Sequence, residues 1–281
     1  MSTIRSRELG DALRIAMESA GLNGKRTAQL LDWSESKVSR LLTGQITVPE
    51  IDIAAFLALS GVTGKERQRL LTLSRTQDTP GWLQQHGTKV PEQLKTLVDH
   101  ESRATEILDF QALVIPGLLQ TGEYARALLE QSGTVPACDV EQRVVARLGR
   151  QALFSRRHRP QITFYVHEFA LRLPVGNSEV MSEQLHTLLR LGVRTYINIR
   201  VVPVSAGAHA GTAGSCRLME FAEFKPVAYV EEETAGHFLE DAAEIASYRG
   251  IFAALAKSAL SEGQSRDLIA DLAVELYGGQ A

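Results

Sequence analysis

Residues Asn23–Gly44, NGKRTAQLLDWSESKVSRLLTG, decide how the rest of the chain is read. Ala28 and Leu31 fall three apart with Leu30 beside them, so one side of a first helix can bury while Lys25, Arg26 and Gln29 stay wet. Asn23 is placed to cap its start. Asp32-Trp33 interrupts the run, and Ser34 is a good N-cap for a second helix whose apolar residues are Val38, Leu41 and Leu42. Gly44 then ends it. The pattern is two short helices and a tight turn, with Glu35, Ser36, Lys37, Ser39 and Arg40 on the face that does not pack.

Those residue types suit double-stranded DNA. Glu35, Ser36 and Lys37 occupy the N-terminal turn that enters a major groove in a helix-turn-helix. Arg40 can fork onto guanine, Glu35 can accept from the cytosine amino group, and Ser36 can pair with several bases. Lys25 and Arg26 suit phosphate contacts, which position a protein without reading sequence. The candidate DNA-binding set is Asn23, Lys25, Arg26, Ser34, Glu35, Ser36, Lys37, Ser39, Arg40 and Thr43. Any one of them alone fits an ordinary helical hairpin with a solvated face; helix lengths, turn and cap together favour DNA.

Residues 9–62 resemble the lambda-repressor-like, or XRE-type, helix-turn-helix family. LGDALRIAMESAGL is similar to its first helix, GKRTAQLLDW and SESKVSRLLTGQ to the central pair, and VPEIDIAAFLALSGV to the fourth. The resemblance implies that Glu35, Ser36 and Arg40 contact bases and that Val38 and Leu41 are core. The family often has Gly where Asp32 sits and Leu where Thr27 sits. Asp tolerates left-handed backbone better than most residues, so the turn remains feasible.

The 281 residues have room for two domains, and a 44% hydrophobic content supplies a core for each. Of 30 Lys+Arg and 33 Asp+Glu, 11 and 8 fall in residues 1–77, a balance of +3 that leaves −6 for the rest. The basic end is the helix-turn-helix end. Cys138 and Cys216 are far apart, with no C-x-x-C pair, and are expected to be reduced, buried thiols. With no apolar leader and no run long enough to span a bilayer, a cytoplasmic location is expected and no membrane partner.

Along the chain, residues 5–20 read as an amphipathic helix closing over the DNA-reading pair. Pro49 opens a strongly apolar helix, and Thr63 caps a further one with Lys65, Arg67 and Arg69 outside. RTQDTPGWLQQHGTKVP mixes turn formers with polar residues. The expected boundaries are residues 1–77 for the DNA-binding domain, 78–91 for a linker in which Trp82 serves as a docking anchor, and 92–281 for a regulatory and dimerisation domain. From Glu92 a helix is expected to about Phe110, and Thr121 starts another. The period then switches: QITFYVHE, TYINIRVVP, SCRLMEF and VAYVEE are rich in β-branched and aromatic residues and read as four strands. Residues 178–191, 238–258 and 262–277 return to helix. The glycine-rich SAGAHAGTAGS at 205–215 is too long for a tight hairpin and reads as a mobile loop near a ligand or partner site. The fold class is mixed: an all-α N-terminal domain, then an α+β domain with a small sheet covered by helices.

ESRATEILDF, VIPGLLQTGEYARALL, GTAGSCRLMEF and VAYVEEETAG resemble blocks of a domain fused to XRE-type helix-turn-helices in actinobacterial regulators, described as WhiJ-like or antitoxin-like. Pro116–Thr121, PGLLQT, is the most specific block, and Cys216 departs from the aromatic residue common after Gly-Ser. The resemblance implies a transcriptional regulator, often paired with a small, genomically adjacent partner protein; it supplies no ligand. From the residues alone, Pro116 and Gly117 turn the chain, Leu118 and Leu119 bury, and Thr121 caps a helix.

Enzyme readings are weak. His167-Glu168 begins HEFAL, where Leu171 replaces the second histidine of a zinc-peptidase H-E-x-x-H helix. Glu231, Glu232 and Glu233 alternate faces on a strand and cannot converge on one ion. No G-x-S-x-G elbow or phosphate-cradling loop is present, and no cofactor or metal is expected. The expectation is a non-enzymatic, homodimeric transcription factor bound to a double-stranded DNA operator, sensing a partner protein or a small-molecule effector. The alternative is an antitoxin-like interaction module that sequesters a small partner, with autoregulatory DNA binding.

Overall fold

The computed structural model describes residues 3–77, 79, 81–85 and 92–277. The chain divides into two compact units, one of Met1–Trp82 with Glu223–Lys225 and Phe238–Asp241, the other of Leu83–Ala222, Pro226–His237 and Ala242–Ala281.

The first unit is built from five helices: α1 (Ile4–Ser19), α2 (Gly24–Leu31), α3 (Glu35–Leu42), α4 (Glu50–Leu59) and α5 (Gly64–Arg75). Leu9, Leu13 and Met17 of α1 meet Leu41 of α3, Ile53, Phe56 and Leu57 of α4, and Leu70 and Leu73 of α5 in one core. Thr3 and Ser6 close a reciprocal capping box at the start of α1. Thr63 stands at the N-cap of α5 as the sequence suggests, but its side chain makes no capping hydrogen bond.

The unit also recruits residues from far along the chain. Glu240 is buried and receives the Ile4 amide at 3.0 Å, while the Arg7 guanidinium lies 3.4 Å from its other carboxylate oxygen and 4.9 Å from the Phe224 ring centroid. Burial pushes the Glu240 carboxyl above the usual carboxylate range, against the pull of the Ile4 amide and Arg7. Nothing in the local sequence of Arg7 signals that contact.

The other unit carries α6 (Glu92–Arg103), α7 (Gly122–Glu130), α8 (Val140–Gly149), the short α9 (Glu168–Arg172), α10 (Ser178–Leu191), α11 (Ala242–Ser258) and α12 (Glu262–Tyr277). The strands are β1 (Trp82–Gln85), β2 (Glu106–Gln111), β3 (Gln161–His167), β4 (Ile197–Val202), β5 (Cys216–Glu220), β6 (Val227–Glu231) and β7 (Ala235–Leu239), in the sheet order β1-β7-β6-β5-β2-β3-β4; β2 to β6 belong wholly to this unit. β2, β3 and β4 run parallel, while β5 is antiparallel to both β2 and β6. The fold is therefore mixed, with helices on a sheet.

Two expected helices are present but shortened at one end by a strand. The run from Glu92 to Phe110 breaks after Arg103, and Glu106–Gln111 becomes β2, inserted between β3 and β5. Ile107 and Phe110 are fully buried; their spacing of three suits one face of a helix, but in β2 it sets them on opposite faces that are both buried, a case periodicity alone does not separate from a helix. Residues 238–239 likewise end β7, and the helix starts only at Ala242. Cys138 is exposed, contrary to expectation, whereas Cys216 is buried in β5 and its thiol is pushed up to about 12 by burial. The Trp82 side chain lies outside the described residues.

PGLLQT forms a knot of polar contacts around two buried leucines. Gln120 donates to the Ile115 carbonyl at 2.7 Å and accepts from Arg147 at 2.9 Å, while Gln184 accepts from the Thr121 amide and donates to the Leu119 carbonyl. Thr121 caps α7 by accepting from the Tyr124 amide. The glycine-rich loop is pinned: an added Cβ at Gly211 would fall 2.3 Å from the Phe110 ring, and His209 packs edge-on against the same ring. Only glycine allows that approach.

Candidate nucleic-acid interface

The helix-turn-helix is set by its caps. Asn23 accepts from the Arg26 amide at 2.9 Å and starts α2; Asp32 takes the left-handed conformation (φ 54°, ψ 44°) and stops it. Ser34 accepts from the Lys37 amide at 3.1 Å and starts α3. Gly44, at φ +66°, closes α3, with the Gln45 amide donating back to the Arg40 carbonyl at 2.8 Å. Asp32 thus meets the backbone demand that glycine would otherwise meet.

Two glycines seat α3 against α1. A Cβ at Gly10 would sit 2.8 and 2.7 Å from the Leu41 and Leu42 carbonyl oxygens, and one at Gly44 would sit 2.7 Å from the Ser6 carbonyl oxygen. Sequence reasoning missed Gly10. Its signal is a helix-disfavouring residue in the middle of an amphipathic helix, beside Leu9 and Leu13.

With Val38 and Leu41 buried, α3 presents Glu35, Ser36, Ser39 and Arg40 to solvent, and Ser34 and Thr43 are exposed at its ends. Among the described residues Arg40 makes no ion pair. Asn23, Lys25 and Arg26 are also exposed, Arg26 reaching Gln29 at 3.4 Å. The Thr43 hydroxyl donates back to the Ser39 carbonyl at 3.0 Å, and its oxygen remains an acceptor. Lys37 differs from the rest of the set. Its ammonium reaches Asp52 of α4 at 2.7 Å and lies 4.0 Å from the Trp33 ring centroid, so it ties α3 to α4. The i to i+4 spacing from Trp33 was the available signal.

Thr27 is fully buried in α2, and its hydroxyl has no hydrogen-bond partner among the described residues. An unmet buried hydroxyl is unfavourable, and valine has the same shape without it. Thr27→Val is expected to stabilise the unit by about 1 kcal/mol, visible as a higher midpoint of thermal unfolding. A lowered midpoint would show that the hydroxyl is satisfied.

The rival sites do not assemble. His167 ends β3 and caps α9, its Nδ1 accepting from the Phe169 amide, while Leu171 is fully buried. Glu168 is held by Arg172 at 2.7 Å and by the Val204 amide at 2.9 Å. Glu231, Glu232 and Glu233 are exposed, and Glu233 accepts from the Ser132 and Thr134 hydroxyls. Among the described residues no three His, Cys, Asp or Glu side chains are grouped to hold a metal, and no helix is long and apolar enough to cross a membrane.

Fold and interface define a helix-turn-helix domain joined to a mixed α/β domain. Residues 8–70 match the family described as helix-turn-helix domain. Residues 94–271, more than half the chain, match the family described as domain of unknown function (DUF5753), and the chain belongs to that family. No curated protein sequence matches. Among solved structures, TrmBL2, an archaeal chromatin protein described as showing a novel mode of DNA binding, aligns at a TM-score of 0.33 and 11% identity over 85% of this chain and 88% of that one, a likeness too low to define a shared fold.

Proposed function

We propose that the chain is a sequence-specific transcriptional regulator. In this reading residues 1–77 bind operator DNA, residues 92–281 dimerise and sense a partner protein or ligand, and residues 78–91 connect them. The observation that carries it is the exposed face of α3: Glu35, Ser36, Ser39 and Arg40 side by side, with Arg40 in no ion pair among the described residues, on a helix seated through Val38, Leu41, Gly10 and Gly44. Lys25 and Arg26 then hold phosphates. The XRE-type resemblance of residues 9–62 supports the same docking, and the WhiJ-like resemblance of residues 90–277 supports a regulatory second domain.

Dimerisation follows from the size of the interface. One eight-residue recognition helix touches few base pairs, and two half-sites about 10 bp apart multiply affinity and specificity. The test is selection of bound duplexes from a random pool by the purified full chain. An enriched inverted repeat is expected. Enrichment of a single half-site would remove the dimer, and no enrichment would overturn autonomous operator recognition in favour of a partner-dependent module.

A further inference from the structure

We propose that a cleft at the N-terminal ends of β3 and β4 binds a small organic anion with a short apolar group. The cleft measures about 560 Å³ and is walled by Gln161–Thr163, Gly192–Asn198 and the first turns of α12, with Glu262 and Arg266. Glu262 and Arg266 continue into an apolar annex of about 20 Å³, floored by Leu188, Leu189, Ile199 and Ile269. All of these residues belong to the second unit.

The charge around the cleft is lopsided. Arg194 lines it, donating to the Tyr196 hydroxyl at 3.2 Å and stacking on Phe154 at 5.7 Å; Arg159 stacks on the Tyr196 ring at 4.1 Å. Among the described residues neither these two arginines nor Arg266 has a carboxylate partner, and Glu262 is the one acid in the lining. Guanidinium groups held by aromatic rings, with no carboxylate partner among the described residues, are preorganised for a carboxylate or phosphate ester. Asn198 adds an amide oxygen that is shielded from solvent and has no partner among the described residues, a demand that a ligand N–H or O–H would meet. The small annex has room for about one methyl-sized group and so favours a two- or three-carbon tail over a longer chain or an aryl ring.

The site lies beside the first turns of α12, whose N-terminal dipole end favours an anion, and next to Gly192 at the C-cap of α10, whose dipole end does not. This deepens the ligand-sensing part of the proposed function and rests on it. The test uses no DNA, so its failure leaves operator recognition standing.

The experiment is isothermal titration of the full chain with propionate, with inorganic phosphate and with propylamine. Propionate is expected to bind at least about tenfold more tightly than either comparator. Arg266→Ala, at an exposed position, should weaken propionate about tenfold, and Glu262→Gln should strengthen it by removing a like charge. Equal binding of phosphate would reduce the cleft to a bare oxyanion site and overturn the apolar part. Binding unchanged in Arg266→Ala, or weakened in Glu262→Gln, would overturn the proposal, as would no binding of propionate.

Discussion

Glu101→Ala is expected to destabilise the second unit by about 3–5 kcal/mol, the range for breaking a buried ion pair by removing one partner. Glu101 is 1% exposed and carries two guanidinium groups: Arg150 through two bonds of 2.6 and 3.1 Å, and Arg217 through Nη1. Arg217 in turn holds Asp109, its register partner across β2 and β5, and Asp109 accepts from Gln111. Two carboxylates balance two guanidiniums among α6, the turn after α8 and the sheet. Without Glu101, one buried positive charge is left over, where the low dielectric gives it little solvation. For a unit of this size the loss corresponds to about 6–20 °C in the midpoint of thermal unfolding.

The same network gives a pH dependence. Burial pushes the Glu101 carboxyl up, but Arg150 and Arg217 together hold it below its ordinary range. A carboxyl lowered in the folded state contributes stability that is present above its unfolded pKa, roughly 4.3, and lost as pH falls through the folded value. The wild-type midpoint should therefore fall on acidification below about pH 4. Glu101→Gln should be destabilised at neutral pH and lose part of that acid dependence. A Glu101→Ala midpoint within 2 °C of wild type would show that the arginines relax to solvent.

The helix-turn-helix unit is legible in the sequence because its signals are local. Asn23, Ser34 and Gly44 each specify a helix end by a hydrogen bond or a backbone conformation within four residues, and Val38 with Leu41 fixes which face turns inward. The strands β3 to β6 are legible for the same reason, through runs of β-branched and aromatic residues. β2 is not, because ESRATEILDF keeps helical spacing and becomes a strand only through its pairing with β3 and β5, which lie more than fifty residues away. Long-range polar partners are hidden in the same way: Arg7 with Glu240, and Glu101 with Arg217, are separated by 233 and 116 residues. In the candidate interface, Lys37 was placed by its position on α3, but its direction depends on Asp52 of α4.

Arg40→Ala is expected to cost about 1–3 kcal/mol on the selected operator, or about 5- to 150-fold in affinity, and to relax preference at one base pair. Arg40 is exposed on the unpacked side of α3, makes no ion pair among the described residues, and lies in the last turn of a helix whose seat does not depend on it. Its loss should leave the unfolding midpoint unchanged, so any change in binding is read at the interface. Lys25→Ala is the control. Lys25 stands in the first turn of α2, where a phosphate contact loses affinity alike on operator and random duplex and lowers the salt slope by about 1. Lys37→Ala should behave as neither, because it removes the link to Asp52 and Trp33 and lowers stability by a few tenths of a kcal/mol to 1 kcal/mol. Fluorescence anisotropy on both duplexes at two salt concentrations separates the three. Equal losses on operator and random DNA for Arg40→Ala would make Arg40 a phosphate contact and move base reading to Glu35, Ser36 and Ser39.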